Sequence, residues 1–150
     1  VAWRAQLAAG QPLTLSDDRM TRFWLSARQA VDLIILSLGI MRGGEVIVPD
    51  IPAAPLTCLA RVVAGMDDVS FAPTGIRHGG EKLHEQLLSD DEVRRARKRN
   101  GVYIVPPDIP AQWHWDASAW LGELIPPTTI YRSDVWRRAA TAELVALVNA

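Results

Sequence analysis

Arg22-Phe23-Trp24-Leu25-Ser26-Ala27-Arg28-Gln29-Ala30-Val31-Asp32-Leu33-Ile34-Ile35-Leu36-Ser37-Leu38-Gly39, residues 22–39, decides the fold class. Residues 22–25 are bulky and aromatic enough for a short strand. Ser26 then stands where a helix N-cap belongs, with Gln29 three residues on to complete a capping box. Ala30, Val31, Ile34, Ile35 and Leu38 recur at helical spacing and predict one inward stripe. Gly43-Gly44 turns the chain into a second strand at residues 45–48, stopped by Pro49. Strand, helix, strand is the grammar of an α/β or α+β domain.

The same grammar continues outward. Residues 2–9 read as a short helix closed by Gly10, and residues 12–15 as a strand followed by the turn Ser16-Asp17-Asp18. Pro49, Pro52 and Pro55 predict extended loop over 49–55. Residues 56–64 predict a helix with Leu56, Leu59, Ala60 and Val63 inward, and 69–72 another strand. Ser89-Asp90-Asp91-Glu92 opens a further helix. Its expected later turns hold Arg94, Arg95, Arg97, Lys98 and Arg99, with Asn100-Gly101 as its stop. A strand at 103–105 precedes the irregular, proline- and tryptophan-rich stretch 106–127. A last helix is expected over 141–148. The expected division is 1–92 as ligand-binding portion and 93–150 as an extension packed on it, one domain overall.

Composition bounds what such a domain does. The chain has 150 residues, 49% hydrophobic and 22% charged, an ordinary globular balance. A net charge of −1 gives no global field to recruit nucleic acid or an anionic membrane. The single cysteine, Cys58, excludes an internal disulfide and a Cys-based zinc site, and reads as a small core or flank residue. No apolar run reaches the ~18 residues that span a bilayer, so no membrane partner is expected. The chain opens on Val1 in what reads as mid-helix, as in a truncated product.

Two arginines stand out. Arg22 lies in Arg19-Met20-Thr21-Arg22-Phe23-Trp24, and Arg77 in Gly75-Ile76-Arg77-His78-Gly79-Gly80-Glu81-Lys82-Leu83-His84-Glu85. A planar guanidinium with fixed donors suits phosphate oxygens. The glycines allow close backbone approach to a ligand, and Glu81 can accept from sugar hydroxyls. The bland reading, a packed strand with a surface charge and an ordinary glycine turn, competes with this one on the residues alone.

These segments, with Gly-Gly-Glu-Val-Ile-Val-Pro-Asp-Ile-Pro at 43–52 and Tyr-Arg-Ser-Asp at 131–134, resemble the C-terminal part of the UDP-N-acetylglucosamine 4,6-dehydratases. These are inverting, pseudaminic-acid-type enzymes within the extended short-chain dehydrogenases/reductases. The match runs from about residue 1 to 92. The resemblance implies an α/β chain, the C-terminal substrate-binding portion of an NAD(P)-binding Rossmann-like fold with the Rossmann half absent. It implies NADP(H) on that missing half of the full-length parent and none in this chain. It implies a UDP-sugar ligand, with Arg22 and Arg77 on the diphosphate, Met20 and Thr21 near the uridine end, and Glu81 at the ribose. Cytoplasmic bacterial glycan synthesis and a partner in the Rossmann half or a second copy follow from the same likeness.

The chain departs from that pattern. The family reads Arg-Pro-Gly-Glu where this chain has Arg77-His78-Gly79-Gly80-Glu81, one residue longer and without the proline. It has no glycine-rich dinucleotide turn and no Tyr-x-x-x-Lys pair: Tyr103 is followed by Pro107 and Tyr131 by Val135 at that spacing. The isolated chain is therefore expected to be inactive, with no catalytic residue and no metal ligand. His84-Glu85-Gln86-Leu87-Leu88 is not a His-Glu-x-x-His motif. The alternative function is a non-catalytic interaction module, with Trp113, His114, Trp115 and Trp120 as a packed flap or partner surface. The basic run 94–99 reads as a solvated helix face, not a nucleic-acid contact.

Overall fold

The computed structural model describes residues 2–108 and 122–149; Trp113, His114, Trp115 and Trp120 lie outside them. The described chain forms two compact units that interleave along the sequence. The first takes residues 1–26, 52–85 and 133–150, and the second 27–51 and 86–132. The division expected at 92/93 does not coincide with either unit. It falls within a short helix of the second, because spatial contacts and not sequence order group these segments.

In the first unit, β1 (Leu13–Leu15) and β5 (Phe71–Pro73) form a parallel pair. β2 (Thr21–Phe23) and β4 (Ala53–Pro55) pair antiparallel, so part of the proline-rich stretch expected to be loop is a strand. Pro55 fits because it lies at the end of a two-stranded pair, where a missing N–H is tolerated. The helices are α1 (Ala2–Ala8), α3 (Leu56–Ala64) and α5 (Thr141–Asn149). Leu59 of α3 and Leu144 of α5 are buried with Ala54, and Trp3, Trp24, Val62, Val63, Leu147 and Val148 pack around them. Gly65 ends α3 in the left-handed region (φ 69°), where its N–H closes on the carbonyls of Arg61 and Val62. Parallel β1–β5 is the α/β element of the fold; its connection is long, as a parallel pair requires, running over residues 16–70 and ending through α3.

The second unit is a four-stranded antiparallel sheet, β3 (Val46–Pro49), β7 (Val102–Val105), β6 (Arg97–Arg99) and β8 (Glu123–Leu124) in that order. It also holds α2 (Ala27–Ile40) and the single turn α4 (Asp90–Val93). β7 is buried on both faces. Val102 and Ile104 meet Leu33, Leu36 and Ile40 of α2 with Ile47 of β3. On the other face the Tyr103 and Tyr131 rings lie 5.2 Å apart.

Two expectations are corrected here. The stripe expected inward on α2 is exposed: Val31 is 51%, Ile34 58%, Ile35 63% and Leu38 67% accessible. Leu33, Leu36 and Ile40 are the packed face instead. The helix is apolar on both sides, so periodicity fits two stripes, and β7 selects one of them. The expected basic helix through 94–99 does not form either. The Ser89–Glu92 capping box is present, but α4 stops after one turn and Arg97–Arg99 become β6. Asn100 (φ 48°) and Gly101 (φ 78°) are a two-residue hairpin loop, both left-handed, joining β6 to β7.

Gly122 tests the sheet edge. A Cβ there would sit 2.2 Å from the Lys98 carbonyl oxygen, at a φ of +85°. Gly122→Ala should cost about 1–3 kcal/mol, read as a lowered denaturation midpoint. Gly39→Ala, in open space on α2, should be neutral or stabilising by up to about 1 kcal/mol.

Candidate functional site

The candidate residues all fall in the first unit. Arg77 and Glu81 follow the end of β5, and Met20, Thr21 and Arg22 lie at the start of β2; the ends of parallel strands are where such sheets present ligand sites. The β1 end leads into Ser16-Asp17-Asp18, and the β5 end into residues 74–81. Thr74 ties the two ends together, its N–H 2.7 Å and its hydroxyl 3.3 Å from the Leu15 carbonyl. A cleft of about 470 Å³ opens beside them, lined by Leu15, Ser16, Asp17, Asp18, Phe71, Pro73 and Gly75.

Met20 and Thr21 lie where the chain enters β2. Met20 is fully buried and Thr21 nearly so. The Thr21 hydroxyl lies 2.6 Å from the Ser133 hydroxyl and 2.9 Å from His84 Nδ1. Ser133 also reaches the Thr21 carbonyl and receives the Glu85 N–H at 2.9 Å. Neither Met20 nor Thr21 presents its side chain at the surface. They set the position of Arg22, the next residue along β2.

Arg22 and Arg77 are not equivalent. The Arg22 guanidinium is inward, its side chain only 19% exposed. Nη1 donates to the carbonyls of Thr21 (2.7 Å) and Leu83 (3.1 Å), and Nη2 to that of Lys82 (2.8 Å). Nε faces Glu85 Oε1 at 3.4 Å. Arg22 thus fastens residues 82–85 to β2 and leaves its positive charge beneath them. Arg77 is exposed, and its guanidinium makes no hydrogen bond to the described residues. Its backbone N–H donates to Glu81 Oε2 at 2.8 Å.

Glu81 is held at both oxygens, since Oε1 accepts from the Ser16 hydroxyl at 3.0 Å. The Arg77 N–H, then Ser16, then the Arg77 and Arg22 charges hold its carboxyl below the usual range. Gly79 (φ 105°) and Gly80 (φ 106°) carry the loop into Glu81 in a conformation that side chains rarely adopt. Asp17 is paired with Arg19 at 2.7 Å, and the Arg19 hydrogen bonds hold it well below the usual carboxylate range. Ser16, His84 and Ser133 were not singled out as site-building residues by sequence. Ser133 stands inside Tyr-Arg-Ser-Asp and His84 inside the Gly75–Glu85 segment, while Ser16 carries only a turn signal.

Residues 1–107 match the polysaccharide biosynthesis protein family. Over 97 residues the chain is 37% identical to the UDP-N-acetylglucosamine 4,6-dehydratase (inverting) of Campylobacter jejuni, covering 65% of this chain and 28% of that protein. Over 107 residues it is 32% identical to the UDP-glucose 4-epimerase of Rickettsia akari, covering 69% of this chain and 30% of that one. The X-ray structure of Pen from Bacillus thuringiensis superimposes with a TM-score of 0.78 at 24% identity, over 99% of this chain and 42% of that one. That likeness speaks for the fold alone. The chain therefore spans less than a third of the two curated relatives' lengths.

Replacing Arg22 by Ala should free residues 82–85. The expected outcome is faster amide exchange there and a stability loss of about 1.5–3 kcal/mol. Arg22→Lys should fall between, because an ammonium lacks the fork that spans carbonyls on two segments. Unchanged exchange at 82–85 in Arg22→Ala would refute the fastening role. Acid provides a second check. A carboxyl lowered on folding adds stability that is complete above its unfolded pKa and is lost as pH falls through the folded value. Asp17, Glu81 and Glu143 are all lowered. The denaturation midpoint should be flat from about pH 7 to 5 and fall below about pH 4, with a shallower fall in Glu81→Gln.

Proposed function

The chain belongs to the polysaccharide biosynthesis protein family, and we propose that it supplies the UDP-sugar-binding surface of a UDP-N-acetylglucosamine 4,6-dehydratase in bacterial surface glycan synthesis. One observation carries this reading. The loop leaving β5 presents an unengaged guanidinium, Arg77, four residues from a carboxylate anchored at both oxygens, Glu81. A cation for phosphate beside an acceptor for hydroxyls is the pair that a nucleoside diphosphate sugar needs. Arg77 takes the diphosphate directly. Arg22 adds a fixed positive charge from beneath, its donors being held by backbone carbonyls. Glu81 accepts from the ribose, and Met20 and Thr21 set the position of Arg22 on β2. The dehydratase and epimerase names of the relatives support a sugar nucleotide as ligand.

The described residues do not fit a nicotinamide dinucleotide. Its pyrophosphate needs a glycine-rich turn running from a strand into a helix. The turns leaving β1 and β5 run to β2 and to residues 82–85, and the first carries Asp17 and Asp18. The segment entering α2, Trp24-Leu25-Ser26, has no glycine. No hydride step is assigned to this chain, and NADP(H) belongs to the portion of full-length relatives that it does not span. In this reading the chain binds and orients a nucleotide sugar and does no chemistry on it.

Calorimetric titration of the 150-residue chain with UDP-N-acetylglucosamine, with UMP as control, tests the reading. Saturable binding that requires the diphosphate is expected, weakened tenfold or more by Arg77→Ala, since a charged hydrogen bond contributes about 1.5–3 kcal/mol. A cooperatively folded chain that binds neither ligand would count against it.

A further inference from the structure

Glu81 follows two left-handed glycines, so its own backbone does little to fix where the carboxylate points. Its last side-chain torsion is a broad, nearly two-fold one. Two donors fix it instead. Arg77 N–H holds Oε2 at 2.8 Å from within the loop. The Ser16 hydroxyl holds Oε1 at 3.0 Å from the end of β1, 65 residues away in sequence. A hydrogen bond to one oxygen leaves the carboxylate free to swivel about it; bonds to both set its plane. An ionised carboxylate has about four lone-pair sites, so each oxygen still has one open acceptor position. Two open acceptors in one plane match two vicinal hydroxyls. Ser16 also belongs to the lining of the 470 Å³ cleft, so the carboxylate stands one hydrogen bond from the cleft wall.

We infer that Ser16 is the positioning residue that sets the Glu81 carboxylate plane for a vicinal diol, and so makes the site prefer ribonucleoside over 2′-deoxyribonucleoside diphosphates. The inference rests on the nucleotide-sugar reading above. It adds a residue that no motif marks, and it explains how the lengthened Arg77–Glu81 loop keeps its carboxylate in a defined place. Ser16 does not contact the diphosphate, so its loss leaves phosphate recognition in place and alters sugar discrimination.

The test uses the full 150-residue chain and two probes, UDP and 2′-deoxy-UDP. Ser16→Ala should narrow the UDP preference by about two- to tenfold, the effect of one hydrogen bond. Ser16→Thr, which keeps the hydroxyl, should restore it, and a merely structural role would not distinguish the two probes. A second measurement needs no ligand. By NMR titration the Glu81 carboxyl should move up toward the ordinary glutamate value in Ser16→Ala and stay low in Ser16→Thr. A UDP preference unmoved by Ser16→Ala in a chain that binds UDP overturns this inference alone, as does an unmoved Glu81 titration. Failure of the wild-type chain to bind UDP at all overturns the nucleotide-sugar reading, and this inference with it.

Discussion

The candidate site depends on one buried polar node, the Thr21 and Ser133 hydroxyls 2.6 Å apart in the first unit. Each hydroxyl serves a different stretch of chain. Thr21 reaches His84, its N–H donates to the Leu83 carbonyl, and Ser133 receives the Glu85 N–H while donating its own N–H to the Glu85 carbonyl. Three segments far apart in sequence are thereby locked together at β2. Buried polar groups are costly unless every partner is present. Here both hydroxyls have partners, and the node specifies one arrangement of residues 82–85. Arg22 repeats the fastening one residue on, from the opposite direction along β2. The Arg77–Glu81 loop, which precedes 82–85 in the chain, hangs from this anchored segment at one end and from β5 at the other.

That arrangement explains why two arginines alike in sequence differ in place. On a strand, Arg22 follows the buried Thr21 and points toward the backbone of 82–83, where the Lys82 carbonyl and the Leu83 carbonyl, which also takes the Thr21 N–H, accept its fork. Arg77 is carried outward by a loop with left-handed glycines on both sides. Burial makes the first a fixed charge and exposure makes the second an available donor. Glu85 Oε1, 3.4 Å from Arg22 Nε, offsets part of that fixed charge. Asp17 is neutralised by Arg19, and Glu81 is ionised with its oxygens directed by Ser16 and Arg77.

Elsewhere, local chemistry named the elements better than it placed them. The capping box at Ser89 and Glu92 formed as its spacing required, yet the helix it opened is a single turn. Asn100-Gly101 is compatible with both a helix stop and a hairpin loop. The strand pairing of Arg97–Arg99 with Val102–Val105 resolved it, because a sheet with β7 at its centre satisfies backbone groups that one more exposed helical turn would not. On α2, a helix with two apolar stripes offered two faces to the core, and the one packed on Val102 and Ile104 is Leu33, Leu36 and Ile40. The exposed stripe of Val31, Ile34, Ile35 and Leu38 is the consequence.

By itself the sequence determined most of the strand and helix content, the α3 core positions Leu59 and Ala60, the capping box at Ser89, and the two arginine segments with their family likeness. These rest on short-range effects: periodicity, caps and motif spacing. Only the tertiary structure decided which face of α2 is packed, that Thr21 and Ser133 meet, that Arg22 is held by carbonyls while Arg77 is open, and that Ser16 holds Glu81. The α2 face is set by packing on Val102 and Ile104, and the site by hydrogen bonds that join residues 48 to 112 positions apart. No local pattern encodes such partners, because a hydroxyl or guanidinium in sequence does not say which donor or acceptor the fold will bring within about 3 Å of it.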